Sequence, residues 1–345
     1  MQMRRSPSSP SSARCIAGLL LSFLVPGSLG ALDTTLPDGS ADSGGAAPRH
    51  EISARPSPRQ RLADVWRYRE LLGNLIRKEL KVKYKNSALG FLWSLLNPIL
   101  YLVVFWVVFD VVLGSGIPDF PVFLLAGLLP WNLFSTSLGS ATSSIVDNAS
   151  LVNKVRFPRE ILALAGIGAA LVHFCLQALV LIGALGVFGF APAWEYLPVV
   201  FLALVVLLVL AAGLGIALAG VNVYMRDTQH LLELVLLAWF WITPIVYQYQ
   251  LLADKLAEKS SLLLLNPMLP IVLVFQRGIW NHTATGPTSG GRLAGAVESN
   301  GVLPPDATLW WYLRNVLIIG AVAVGLLAGA LWLFGRLEDN FAEEL

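Results

Sequence analysis

The side chains with the longest chemical reach in this sequence are cations and aromatic rings, and neither set is arranged for catalysis. Lys154, Arg156 and Arg159 surround a phenylalanine and a proline in Asn153–Glu160, Asn-Lys-Val-Arg-Phe-Pro-Arg-Glu. Pro158 drives Phe157 out of the helical region and suits the start of a new helix, whose first turn favours an acid such as Glu160. The product is a short, basic, Phe-tipped elbow. It serves as a topology signal or as a shape that presses into a groove on another protein. Arg226 and Asp227 stand in Asn222–His230 at the end of an apolar run. Adjacent residues do not share a helix face, which weakens a local pair. His230, alone at a span end, reads as a capping or interfacial residue. Tyr101, Phe105 and Phe109 recur every four residues, with Trp93 on roughly the same side, and Trp131 and Phe134 follow. Such a stripe packs inside a membrane protein, or offers rings on which the apolar C–H faces of sugars stack.

Catalytic constellations are missing. The sequence has no GxSxG, no HExxH and no GxxxxGK[ST] phosphate loop. Its two cysteines, Cys15 and Cys175, form no CxxC and no Cys/His cluster, so no metal and no disulfide framework are expected. No soluble stretch is large enough to house an active site. The chain therefore reads as a non-enzyme without catalytic residues, and any ATP it uses must be hydrolysed by another polypeptide.

The elements that position these side chains follow from composition. Charged residues are 13% of the 345, against about 25% in soluble domains, and hydrophobic residues are 56%. Mean hydropathy is +0.67. The apolar residues fall in blocks long enough to cross a hydrocarbon core of about 30 Å at about 1.5 Å per residue. The expected fold is an all-α polytopic membrane protein. Six spans are predicted: Leu89–Leu113, Phe120–Val146, Ile161–Phe190, Tyr196–Val221, Leu231–Tyr249 and Leu309–Phe334. Leu262–Trp280 is also apolar, but Asn266-Pro267 and Pro270 interrupt it. It reads as an external re-entrant hairpin, which must be covered by protein or face a watery cavity. The spans are nearly free of charge, Asp110 and Glu233 being the main exceptions, whereas ion-coupled transporters usually keep charges at mid-membrane.

Residues 1–60 are unlike the rest: a basic start, a short apolar run Ile16–Val25, then a Gly/Ser/Pro-rich stretch. This is a disordered or signal-like leader. Residues 61–88 form an amphipathic interface helix, with Val65, Tyr68, Leu72, Leu75, Ile76 and Leu80 on one face. Ten cations lie between Arg55 and Lys85, among them Arg77, Lys78, Lys81 and Lys83. Basic flanks stay cytoplasmic, so these charges outweigh the signal-like leader. Periodicity alone favours a helix lying on an anionic leaflet over one that also docks a partner. The shorter loops agree on orientation, while the long external connection between the fifth and sixth spans carries Lys255, Lys259, Arg277, Arg292 and Arg314 at a length where the charge rule stops applying. Lys154, Arg156, Arg159 and Arg226 fall in alternate loops, while Gly114–Asp119 and Ala191–Glu195 carry no cation. Both termini are expected in the cytoplasm, with residues 89–345 forming a multi-pass domain of the plasma (inner) membrane. The Gly/Ser/Thr-rich stretch Thr283–Ser299 is expected as a mobile external loop.

Five segments, in order, then carry a resemblance. Lys78-Glu-Leu-Lys-Val-Lys-Tyr-Lys-Asn-Ser-Ala-Leu-Gly-Phe-Leu-Trp-Ser-Leu-Leu-Asn-Pro98 resembles the lead-in of the membrane subunit of type-2 ABC polysaccharide/polyol-phosphate exporters, the O-antigen, teichoic-acid and galactan group. Lys154-Val-Arg-Phe-Pro-Arg-Glu-Ile161 is similar to that family's first cytoplasmic loop. Asn222-Val-Tyr-Met-Arg-Asp227 is similar to its second, with Met225 where an aromatic is usual. Thr243-Pro-Ile-Val-Tyr247, and Asn266-Pro267 through Phe275-Gln-Arg-Gly278, resemble its external re-entrant region. The likeness runs from about residue 64 to the end of the sequence.

The resemblance implies a homodimer of six-span subunits served by two copies of a separate ABC ATPase, which holds the ATP and Mg. It implies export of a polyprenyl-pyrophosphate-linked glycan, and no nucleic-acid partner. By position it assigns ATPase coupling to Arg77, Lys78, Glu79 and Lys81, to Lys154, Arg156, Phe157, Pro158, Arg159 and Glu160, and to Arg226 and Asp227. It places Asn266, Pro267, Phe275 and Arg277 in an outer gate. It makes Trp93, Tyr101, Phe105, Phe109, Trp131 and Phe134 the lining of a sugar channel. The alternative within the same transporter class is a permease for a small drug or lipid. A scaffold or channel without an ATPase, and a polyprenyl-linked glycosyltransferase, fit less well, the latter because the loops supply too few acids.

Overall fold

Long runs of Leu, Val, Ala and Ile leave a backbone in lipid one stable choice, which is to bond to itself as helix. In the computed structural model every regular element among the described residues is helical. The structure describes residues 60, 65–84, 92–112, 114, 117, 119–155, 157–189, 191–256, 263–280, 302–304, 307–338 and 341. Leader residues 1–59, Lys85, Arg156 and the loop Thr283–Ser299 lie outside them, as do the side chains of Trp93 and Asp110. In chain order the helices are α1 (Arg69–Tyr84), α2 (Leu92–Phe105), α3 (Phe120–Asp147), α4 (Ala149–Val152), α5 (Glu160–Phe188), α6 (Leu197–Tyr224), α7 (Thr228–Ile242), α8 (Tyr249–Leu256), α9 (Met268–Trp280) and α10 (Leu309–Leu337). A π-helical stretch, Trp106–Val112, continues α2.

Four helices are long and apolar enough to cross a bilayer: α3, α5, α6 with its leading 3₁₀ turn, and α10. The first predicted stretch is helical over residues 92–112, as α2 and its π-helical continuation, and the fifth takes the form of a shorter apolar helix, Thr228–Ile242. The fifth stops early for a local reason. Thr243 precedes a proline, and its backbone is extended (φ −94°, ψ 127°), as a pre-proline residue prefers. The irregular turn that follows, Thr243–Val246, is buried in protein, which is the condition for non-helical backbone at membrane depth. The third predicted stretch is helical from Glu160, so Pro158 does mark its start.

α10 lies along α6, and α3 packs against both α5 and α6. Small residues permit this closeness. A Cβ on Gly213 of α6 would sit 2.9 Å from the Leu327 backbone nitrogen of α10. One on Gly166 of α5 would sit 3.0 Å from the Ser140 backbone of α3. Asn222 of α6 donates to the Thr142 carbonyl of α3 across the α3–α6 interface (3.0 Å).

The apolar interior forms two clusters. One holds most of α3, α6 and α9, including Phe123, Leu207 and Trp280. The other lies at the end that carries the basic loops, and gathers Leu75 of α1, Val152, Ile161, Val223, Phe334 and Phe341.

Candidate functional site

The basic end is built from three segments that are distant in sequence. α1 turns Leu75 and its neighbours onto α5, and leaves Arg77, Lys78 and Lys81 exposed with Glu79 half-buried. Lys78 Nζ donates to Asn148 Oδ1 at the end of α3, so α1 is bonded to the bundle as well as packed on it. In the elbow, Lys154 is exposed, while Phe157 and Pro158 are half-buried. The Phe157 ring, expected at the tip, packs partly against the inner cluster. Glu160 is buried in the first turn of α5. Arg159 turns inward: Nη1 donates to the Glu338 carbonyl at 2.8 Å, and Nε lies 3.9 Å from Glu338 Oε1. Arg226 and Asp227 are exposed at the turn between α6 and α7. α1, the elbow and the segment before that turn thus share one core, which periodicity could not reveal because the contacts are long-range.

Between α1, α3 and α5 lies a cavity of about 290 Å³, lined among others by Lys83, Ser140, Ser143, Asp147 and His173. Partial desolvation there lowers the Lys83 ammonium below its ordinary pKa.

The aromatic stripe is continuous. Tyr101 stacks on Phe105 (6.2 Å between ring centroids), and Phe105 meets Phe109 (5.9 Å). The run continues through Phe120 and Phe123 to Trp280 of α9, at 6.0, 6.3 and 5.4 Å. A branch leaves Phe105 through Phe240 to Trp131 and Phe134, at 6.5, 5.6 and 6.0 Å. Tyr101 is 55% exposed, and Phe105 and Phe109 are half-buried. Trp131 and Phe134 are only 6% and 0% exposed, and sit beneath Phe240 and Trp239 as support. Sequence reasoning did not include Phe240 or Trp280. The Trp239-Phe240-Trp241 run was the available signal for the first.

The predicted gate segment is organised by Asn266. Its Oδ1 accepts from Trp239 Nε1 (2.7 Å) and from the Met268 N–H (3.0 Å), while Nδ2 donates to Thr243 Oγ1 (2.9 Å). One amide therefore ties the end of α7 to the start of α9. Pro267 follows, half-buried. Phe275 is buried edge-on to Phe174 (6.3 Å), and the Arg277 guanidinium lies 4.6 Å over the Tyr196 ring. Each lost hydrogen bond in such a setting costs on the order of 1 kcal/mol. Asn266→Ala is expected to destabilise the protein by about 3 kcal/mol, read as a lowered Tm of the detergent-solubilised chain. An unchanged Tm would contradict this role.

Among the described residues, no group of three or more His, Cys, Asp or Glu side chains is placed to hold a metal.

A helical bundle with four bilayer-length apolar helices is a multi-pass membrane protein. Its family can also be stated. Residues 70–276 match the ABC-2 type transporter family, and the chain belongs to it. It is similar to the O-antigen export system permease protein RfbA of Myxococcus xanthus, 36% identical over 285 residues, 82% of this chain and 98% of the relative. It is also similar to RfbA of Klebsiella pneumoniae, 31% identical over 218 residues, 62% of this chain and 83% of the relative. The polysialic acid transport protein KpsM of Escherichia coli is 26% identical over 206 residues, 57% of this chain and 76% of the relative. Membership implies a transport subunit in a membrane and an ATPase partner.

Proposed function

We propose that this chain is the membrane subunit of an ATP-driven exporter that moves a polyprenyl-pyrophosphate-linked polysaccharide from the cytoplasmic to the outer face of the plasma membrane. The observation that carries the glycan reading is the row of accessible rings Tyr101, Phe105 and Phe109, backed by the buried rings of Phe120, Phe123 and Trp280. Stacked rings hold a sugar by its apolar face without fixing its hydroxyls, so a polymer can slide from ring to ring. The relatives named for O-antigen and polysialic acid export support the same substrate class.

Two copies of the chain work with two ATPase subunits, which carry ATP and Mg. The apolar side chains left exposed on α2 (Ile99, Leu100, Val103) and on α7 (Leu231, Leu234, Leu237) support a second copy packed there. ATP binding closes the ATPase pair and pushes on α1, the elbow Lys154–Glu160 and Arg226-Asp227. Force transmitted through the shared core parts α2 and α7 of the two copies, and the lipid-linked sugar enters. The segment from Asn266 to Arg277 acts as the outer gate. Both termini remain cytoplasmic.

The test is depletion of this protein followed by extraction of lipid-linked glycans. A full-length polyprenyl-pyrophosphate polymer is expected to accumulate inside the cell, and the polymer then identifies the substrate. Unchanged surface glycans with no accumulation would overturn the proposal and favour a permease for a small drug or lipid.

A further inference from the structure

The last four carbonyls of a helix have no partner within it and need one from elsewhere. At the end of α10 two of them find partners from two different loops. The Leu337 carbonyl accepts the Tyr224 hydroxyl (2.7 Å), from the segment that leads to Arg226-Asp227. The next carbonyl, Glu338, accepts Arg159 Nη1 (2.8 Å), from the elbow. A cation at this place also suits the negative end of the helix dipole. Phe341 completes the joint. Its ring is fully buried, 5.3 Å from Phe334, 5.9 Å from Tyr224, and 5.5 Å beneath the Arg159 guanidinium. Arg159 thus touches the backbone carbonyl and carboxylate of Glu338 and the ring of Phe341.

We infer that Leu337, Glu338 and Phe341 form a clasp that fixes the elbow Asn153–Glu160 and the segment around Tyr224 in one geometry, so that both move as a unit. Tyr224, Glu338 and Phe341 are positioning residues. They touch neither substrate nor ATP, and act through Arg159 and through the run that ends in Arg226-Asp227. The inference rests on the proposed coupling role of those two loops. A ring buried on three sides does not bend, and two neighbouring carbonyls on one helix turn cannot separate. A push on either loop is therefore delivered to α5, α6 and α10 together. Without the clasp, the same push would be spent in bending one loop.

The experiment uses the full complex with its ATPase, in cells lacking the chromosomal copy. Three quantities are read: ATPase co-purification, ATP turnover of the purified complex, and surface glycan. The variants are Tyr224→Phe, which removes one hydroxyl and keeps the ring, and Phe341→Ala. Co-purification and ATP turnover are expected to persist, while glycan exported per ATP hydrolysed falls by about fivefold or more, the lower end of inter-site couplings. The double variant is expected to lose less than the product of the two single effects, because both act on one joint. A merely structural role would lower all three readouts with the amount of protein and leave their ratio unchanged, and that result would overturn the clasp. Normal export per ATP in Tyr224→Phe would overturn it as well, even if Phe341→Ala accumulates poorly. Loss of ATPase co-purification would overturn it in favour of a docking role for the tail. The underlying reading is tested separately by Lys154→Glu. If that variant also leaves ATP turnover and export untouched, the coupling role of the elbow fails. If it alone is defective, only the clasp fails.

Discussion

Replacing Tyr101, Phe105 and Phe109 together with leucine is expected to reduce surface glycan by about 100-fold with little change in the amount of protein in the membrane. Leucine is as welcome in lipid as phenylalanine, so insertion is unaffected. The loss is of ring faces. Each well-placed aromatic contact is worth about 1 kcal/mol, so three are worth about 3 kcal/mol, and 1.4 kcal/mol is tenfold. Phe105 and Phe109 also touch Phe240 and Phe120, which adds a small packing cost visible in Tm. The measurement is surface glycan normalised to membrane-inserted protein. A triple variant that exports normally would sink the aromatic path and leave a lipid route in its place.

The second large effect is expected at the elbow. Exchanging Lys154–Arg159 for a Gly/Ser segment of equal length should lower glycan-stimulated ATP turnover of the purified complex by at least about tenfold, within the range of inter-site couplings. The stimulating probe is the lipid-linked glycan extracted from depleted cells. Two separate losses combine. The exposed Lys154 charge is lost from the proposed ATPase contact, and Arg159 no longer holds Glu338. Because the exposed contacts are electrostatic, part of the same loss is expected in the unaltered complex as salt is raised. Full stimulated turnover in the exchanged complex would remove the elbow from the coupling path.

Legibility in the sequence was uneven, and the reasons are physical. Local signals read well. Pro158 marked the start of α5, the four-residue spacing placed Tyr101, Phe105 and Phe109 in mutual contact, and the apolar runs gave α3, α5, α6 and α10. The fifth stretch read too long. Hydropathy counts Thr243-Pro-Ile-Val as apolar but does not register the pre-proline constraint that ends the helix. Long-range contacts were silent. Nothing in Phe341 or Tyr224 announces that they meet, and an inward-turned Arg159 has the same spelling as an outward one. Trp131 and Phe134 share the composition of a channel wall, yet lie under Phe240 and Trp239, because burial depends on which neighbour covers a helix face.

The early end of α7 has a consequence for the bilayer itself. Its 15 residues extend about 22 Å, several ångströms less than a typical hydrocarbon core. Its outward face, from Leu231 to Ile242, is greasy and exposed, so it must be wetted by acyl chains or by a second copy. Where chains do the wetting, they must shorten to match, and the membrane pinches beside α7. A charged headgroup crossing beside so short a helix would traverse less oil than beside the bilayer-length helices α3, α5, α6 and α10. A helix cut short by one proline thereby thins the barrier on the flank where the proposed cargo would enter.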